Sequence, residues 1–149
     1  MRNGWLIAAG LLSAAASVLH FATIVGGPEW YRFFGAGEEM ARAAERGSVM
    51  PGLVTAAIAT ILAVWALYAF SAAGLIRRLP LMRTALVLIT GVYTLRALAL
   101  VPLLALKPQL IDTFAIVSSL TVLCYGVTYA VGTWLAWPSL RSPASSQPA

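Results

Sequence analysis

The 149-residue chain is not built like a soluble domain, because 10% of its residues are charged where soluble proteins have roughly 25%, and 60% are hydrophobic. The net charge is +5, but the few basic residues flank apolar stretches, which argues against a nucleic-acid partner and for the loops of a membrane protein. A single cysteine, Cys124, excludes an intrachain disulfide and a Cys-x-x-Cys redox pair.

The first predicted element is an apolar helix from Trp5 to Val25, which is long enough for a bilayer that requires about 20 apolar residues. Arg2 and the small residues at 14–16 also fit a cleaved signal peptide. Because the apolar run extends beyond the roughly 7–15 residues of a signal core, we favour a retained helix.

The loop after this helix is unusually aromatic. Trp30, Phe33 and Phe34 have the spacing of one helical face. The segment from Glu38 to Arg46 has acids at its start and arginines at its end, which favours a short helix whose charges match its dipole. We interpret the loop as an amphipathic anchor on the bilayer surface, with a substrate lid as the alternative. The aromatic side chains should then cover the helix ends or enter the headgroup layer.

Three further apolar stretches complete a predicted bundle of four transmembrane helices. They run from about Leu53 to Ile76, from about Thr84 to Leu106, and from between Pro108 and Phe114 to Trp137. Pro102 should kink the third helix. These runs are continuous and do not alternate as strands do. We therefore predict an all-α membrane domain over residues 1–138, followed by a disordered cytoplasmic tail over 139–149 that is rich in Ser and Pro.

The orientation follows from the short loop that contains Arg77, Arg78 and Arg83, because cytoplasmic loops carry an excess of Lys and Arg. Both termini are then cytoplasmic, and the aromatic loop lies outside. Small and polar residues at helical spacing predict the packing faces of three spans. They are Gly10, Ser13, Ser17 and His20 in the first, Ala56, Ala59, Ala63 and Ala66 in the second, and Ser118, Thr121, Tyr125, Thr128 and Gly132 in the fourth.

The candidate site is a polar cluster in the outer half of this bundle. Arg96 interrupts the third span, and an arginine at helix centre costs roughly 2.5–3.5 kcal/mol. We therefore expect it to pair with a carboxylate, that of Asp112 before that of Glu29, with Ser119 nearby. The complete set of predicted ligand-binding residues is Arg96, His20, Asp112, Tyr93, Glu29 and Trp30.

Each member of this set also has a structural interpretation. His20 would then bond to a neighbouring backbone group, Asp112 would cap a helix, and Arg96 would hold two helices together. An arginine close to a histidine and beneath an aromatic loop suits an anionic amphiphile, such as a lipid headgroup. One histidine and one cysteine do not make a metal site, and we expect neither a metal nor another cofactor.

The predicted function is non-enzymatic. We expect a binding or accessory protein in the lipid bilayer that recognises a lipid or a partner membrane protein, with a homodimer as one form of partner. The alternative is a small-molecule transporter or a membrane enzyme that uses Arg96 and His20, since His20 is the one candidate base with an ordinary pKa near neutrality. A hydrated pocket at Arg96 would favour binding or transport, and tight packing would favour an accessory role.

Three segments carry a resemblance to known proteins: GGPEWYRFFGAGEEMA (Gly26–Ala41), LYAFSAAGLIRRLPL (Leu67–Leu81) and YTLRAL (Tyr93–Leu98). In these segments the chain resembles a set of small four-helix proteins of the bacterial inner membrane. The resemblance implies a multi-pass protein in that membrane. It implies no activity, because none is assigned to that set.

Overall fold

The computed structural model describes residues 3–107, 109, 111 and 113–140, and all regular secondary structure in these residues is helical. In chain order the helices are α1 (Gly4–Gly26), α2 (Pro28–Phe33), α3 (Glu38–Glu45), α4 (Met50–Ala72), α5 (Met82–Leu98), α6 (Leu100–Leu106) and α7 (Thr113–Ala136), followed by a 3-10 turn (Trp137–Leu140). The predicted all-helical class is confirmed for these residues, and α3 occupies Glu38–Glu45 of the segment from Glu38 to Arg46.

Four of these elements are long and apolar enough to cross a membrane. They are α1 with 23 residues, α4 with 23, the α5–α6 unit with 25, and α7 with its 3-10 turn with 28. The 3-10 turn carries the helical chain two residues past the predicted domain boundary at 138. The rest of the predicted tail, residues 141–149, lies outside the described residues.

The second long helix ends earlier than predicted, at Ala72 rather than near Ile76. The hydroxyl of Ser71 donates to the Arg77 carbonyl at 2.9 Å and accepts from the Leu79 amide at 3.0 Å. Gly74 has a positive φ of 76°, which glycine adopts without steric cost. A side-chain hydroxyl therefore holds the chain in a turn where apolar composition alone suggested further helix.

The third long helix divides at Ala99, between α5 and α6. Pro102 lies three residues further on and has no amide hydrogen, so it cannot donate to the Leu98 carbonyl as the helix requires. The helix is thus interrupted one turn before Pro102, the residue at which a kink is predicted.

In the bundle, α1 packs along both α4 and α7, and α5 packs along α7. Helices α2 and α3 lie at one end, named here the loop end. Asn3 lies at the opposite end, where its Oδ1 caps α1 through Trp5 N and Leu6 N and its Nδ2 donates to the Gly132 carbonyl at 2.7 Å. The buried core is Leu6, Ala9, Leu62, Ala69, Ala73, Met82, Leu86, Ile89, Tyr93, Tyr129, Ala136 and Leu140.

The predicted packing face of α1 is correct at three of its four residues, with His20 only half-buried, and the predicted face of α7 is shifted. Gly10, Ser13 and Ser17 are buried, and a Cβ at Gly10 would lie 2.5 Å from the Phe70 ring. On α7, however, Thr121 is exposed and donates to the carbonyl of its own helix four residues back. The buried face of α7 is instead formed by Ser119, Gly126, Tyr129, Gly132, Thr133 and Ala136. In α4, Ala59 and Ala66 are buried, whereas Ala56 and Ala63 are half-buried.

Candidate functional site

At the loop end, one arginine joins α2 to α3. The Arg32 guanidinium donates to Glu29 at 3.1 Å, to both oxygens of Glu38 at 3.0 and 3.2 Å, and to Glu45 at 2.7 Å. Arg42 donates to Glu38 at 3.0 Å. The hydrogen bonds to Glu38 and then Glu45 raise the pKa of Arg32. The hydrogen bonds from Arg32 and then Arg42 lower the pKa of Glu38, so each of these ion pairs favours the charged form of Arg32 and Glu38.

Three aromatic rings lie beside this network. The Trp30 and Phe34 ring centroids are 5.7 Å apart, and the Phe33 ring meets Phe34 edge-on at 4.9 Å. Together with Glu29, these three residues line a groove of about 420 Å³, named here the aromatic groove. Two members of the predicted site that are adjacent in the sequence, Glu29 and Trp30, thus line this groove.

Two glycines allow the rings at the loop end to pack closely. The Trp30 ring lies against the backbone of Gly26 at the end of α1, with no room for a Cβ. The Phe114 ring, in the first turn of α7, packs in the same way on Gly35. Gly35 also has a positive φ of 64°, which disfavours a side chain there. The loop is therefore seated on the ends of both α1 and α7.

Arg96 lies on an exposed part of α5. Its Nη1 is 3.5 Å from the hydroxyl of Ser119 on α7, which is the outer limit of a hydrogen bond. Ser119 itself is buried. Leu95 beside Arg96 is 71% exposed, and Leu120 beside Ser119 is also exposed. Arg96 thus carries a charge on an otherwise apolar surface. The predicted contact with Ser119 is present, although long.

The structure tests only one of the two carboxylates that were predicted to pair with Arg96. Asp112 lies outside the described residues. Glu29 accepts from Arg32, and within the described part of the chain no ion pair joins Glu29 to Arg96. The less favoured of the two predicted pairings is therefore not formed.

His20 is half-buried and bonds to its own helix. Its Nδ1 is 2.7 Å from the Ala16 carbonyl, and because a carbonyl can only accept, Nδ1 carries the hydrogen. In the neutral ring Nε2 is then the acceptor. The hydrogen bonds of His20 and Arg96 go to Ala16 and Ser119 and not to each other.

Tyr93 belongs to a separate polar group in the bundle core. Its hydroxyl is 2.9 Å from the Ser13 hydroxyl, which is 3.0 Å from the Tyr129 hydroxyl, and Tyr129 donates to the Trp65 carbonyl at 2.9 Å. This core hydroxyl network takes one group from each of α1, α4, α5 and α7. The Tyr93 ring also meets the rings of Trp65, Tyr125 and Tyr129 at centroid distances of 4.9, 5.4 and 5.5 Å.

The direction of each hydrogen bond in this network follows from the carbonyl at its end. Since the Trp65 carbonyl cannot donate, the one hydroxyl hydrogen of Tyr129 is used there. Ser13 must then donate to Tyr129, and Tyr93 must donate to Ser13. Sequence reasoning missed Tyr129 and Trp65. The available signal was the spacing of Tyr129 three residues from both Gly126 and Gly132, which places it on a close-packing face.

The predicted polar cluster is therefore divided into separate places: the aromatic groove, the Arg96–Ser119 contact, the His20 bond to α1, and the core hydroxyl network. At the opposite end of the bundle is a further cavity of about 430 Å³, with Asn3, Ser71 and Ser139 among its polar walls. Among the described residues, no group of three or more His, Cys, Asp and Glu side chains could hold a metal ion. No family model matches the chain, and neither curated proteins nor solved structures give a match.

Proposed function

We propose that this chain is a multi-pass protein of the bacterial inner membrane that binds an anionic lipid headgroup at Arg96, without enzymatic activity. Both termini lie in the cytoplasm, and α2 and α3 lie on the outer surface. The observation that carries the proposal is the exposed guanidinium of Arg96 within an apolar helix surface.

Membrane insertion is supported by the outward-facing side chains of the long helices. Large apolar residues such as Leu11, Val18, Leu95 and Leu120 are exposed on the bundle, and a soluble monomer rarely exposes so much contiguous apolar surface. The orientation is supported by Arg77 and Arg78 in the loop between α4 and α5 and by Arg83 in the first turn of α5, which fit the cytoplasmic side.

Arg96 lies below the headgroups in the outer half of its span, and only its side chain can approach a headgroup phosphate. Arg96 precedes Leu106 by ten residues, or about 15 Å of helix. The 25-residue α5–α6 unit is longer than the roughly 30 Å of hydrocarbon that it would cross, so Leu106 reaches beyond the apolar layer. The long arginine side chain can then extend toward the headgroups.

The chemistry at Arg96 also favours a phosphate. A guanidinium binds two oxygens of a phosphate in parallel, which a lysine cannot do. The Ser119 hydroxyl accepts from Arg96 and still has its own hydrogen to donate to an anion. A bound anion would neutralise a charge that is otherwise costly at this depth.

A mixed-lipid nanodisc experiment tests the proposal. The discs contain equal amounts of phosphatidylglycerol and phosphatidylethanolamine with the same acyl chains, and native mass spectrometry counts the lipids that the released protein retains. Arg96→Gln should lower phosphatidylglycerol retention by about tenfold, because a charge-assisted hydrogen bond contributes roughly 1.5–3 kcal/mol. Arg46→Gln is the matched control, since it removes the same charge from the loop between α3 and α4.

Equal retention in the wild type and Arg96→Gln would contradict the proposal. A dimer mass that disappears in Arg96→Gln would instead identify a second copy of the chain as the partner of this arginine. The transporter or enzyme alternative would gain support if His20→Gln and Arg96→Gln abolished the same flux or turnover.

A further inference from the structure

The aromatic groove has an unusual wall composition for a cleft of its size. Its lining consists of three aromatic side chains and one carboxylate, from Trp30, Phe33, Phe34 and Glu29. Aromatic faces carry partial negative charge and attract ammonium groups. Every wall of the groove is thus able to attract a cation.

The charge balance beside the groove favours a cation as well. The network of Glu29, Arg32, Glu38, Arg42 and Glu45 contains two cations and three carboxylates, which leaves one excess negative charge. Glu29 shares only one of its oxygens with Arg32, and its side chain is 84% exposed. Its carboxylate can therefore accept from a ligand without losing the ion pair.

The groove is held in shape before any ligand arrives. Trp30 rests on Gly26, Phe34 contacts both other rings, and the chain after Phe34 is fixed by Phe114 on Gly35. Binding then requires little further ordering of side chains. Such ordering has an entropic cost that lowers the affinity of a site.

We propose that the aromatic groove binds the ammonium headgroup of a zwitterionic phospholipid, such as phosphatidylethanolamine. This inference rests on the membrane placement proposed above, which puts the ends of α1 and α7 at headgroup level. Phe33 is 76% exposed and Val25 is 90% exposed at the same end, and both offer apolar surface to the acyl chains. A free ammonium ion has no acyl chains and could not contact that apolar surface.

The mixed-lipid nanodisc assay tests this inference by counting retained phosphatidylethanolamine. Trp30→Leu and Phe33→Leu should each lower its retention by about threefold to fivefold, as expected for one cation–π contact at an exposed site. Glu29→Gln should also lower it, while Arg32 keeps its bonds to Glu38 and Glu45. Phe33 is the safer substitution because its exposed ring contributes little to the fold.

Two matched controls isolate the groove. Glu39→Gln removes an exposed carboxylate from α3, and Trp134→Leu removes an exposed tryptophan from α7; neither residue lines the groove. Both variants should retain phosphatidylethanolamine as the wild type does. Tetramethylammonium chloride should displace the lipid from the wild type, since it presents the same cation without acyl chains.

Unchanged phosphatidylethanolamine retention in Trp30→Leu and Phe33→Leu would overturn the inference. Tetramethylammonium binding without any preference for phosphatidylethanolamine would also overturn it, because the ligand would then be a free cation. Phosphatidylglycerol is counted in the same spectra. Suppose that Arg96→Gln loses phosphatidylglycerol while Trp30→Leu and Phe33→Leu retain phosphatidylethanolamine as the wild type does. This inference would then be refuted, and the proposed function would stand.

Discussion

Tyr129→Phe is predicted to destabilise the bundle by removing one oxygen atom from the core hydroxyl network. The Tyr129 side chain is fully buried, and its hydroxyl both donates to the Trp65 carbonyl and accepts from Ser13. A net hydrogen bond contributes about 0.5–1.5 kcal/mol in water and about 0.6 on average between membrane helices. Loss of two bonds should therefore lower the free energy of unfolding by about 1–3 kcal/mol.

Tyr93→Phe should cost about half as much, because Tyr93 makes only one bond in the network. Tyr125→Phe is the matched control: its ring meets Tyr93, and among the described residues its hydroxyl makes no hydrogen bond. The free energies can be measured in detergent micelles by titration with sodium dodecyl sulfate, with tryptophan emission as the signal. A Ser13→Ala and Tyr129→Phe double-mutant cycle gives their coupling directly.

The assigned order of the network would be refuted by either of two results. If Tyr93→Phe cost as much as Tyr129→Phe, the assignment of one hydrogen bond to Tyr93 and two to Tyr129 would be wrong. If Tyr125→Phe were as harmful as Tyr129→Phe, loss of any tyrosine oxygen would have the same effect, and the hydrogen bonds would not be the cause.

Two further predictions concern the loop end and the helix contacts. Because Arg32 and then Arg42 lower the pKa of Glu38 from 4.5, the stabilisation by these bonds is complete above pH 4.5 and is lost as the pH falls through the lowered value. At a pH below the lowered pKa of Glu38, the backbone amides of residues 28–45 should lose protection against hydrogen exchange. In Glu38→Gln the same amides should already be poorly protected at neutral pH. Gly132→Ala would place a Cβ 2.8 Å from Leu6 Cγ and should cost about 1–3 kcal/mol. Gly91→Ala, with no atom within 4 Å of its Cβ, should not lower stability.

The four long apolar helical stretches and the short helix α3 could be predicted because they follow from local chemistry. A charge-free apolar run favours a long helix, a proline without an amide hydrogen interrupts one at a known distance, and acids at its start indicate the beginning of α3. Each of these causes acts within one or two turns of the chain. The end of α4 was missed because Ser71 bonds to Leu79, eight residues away.

The packing face of α7 could not be predicted from polarity. Thr121 and Thr128 looked like interhelical contacts, but each bonds to a carbonyl of its own helix. In an apolar environment such a bond satisfies a hydroxyl on any side of the helix. Glycine has no such option, because its only advantage is close approach, so Gly126 and Gly132 mark the packed face more reliably than the threonines do.

The predicted site failed as a single cluster because sequence gives the depth of a residue but not its direction. Arg96 and Tyr93 are three residues apart on α5 at nearly the same depth, yet one is exposed and the other is buried. The direction depends on which helices neighbour α5, and α5 packs mainly on α7. No single segment contains that information.

The division between a packed core and charged edges bears on which kind of function fits this bundle. At the level of Ser13 the four long helices are tied together by hydroxyls that each have a partner, and the rings of Trp65, Tyr93 and Tyr129 fill the space between them. Opening a passage there would break several bonds at once, which is costly where water cannot replace them. Arg96 and the aromatic groove, by contrast, can meet a ligand without any movement of the core. This packing therefore favours the proposed recognition of lipids at the surface over the alternative, movement of a solute through the centre.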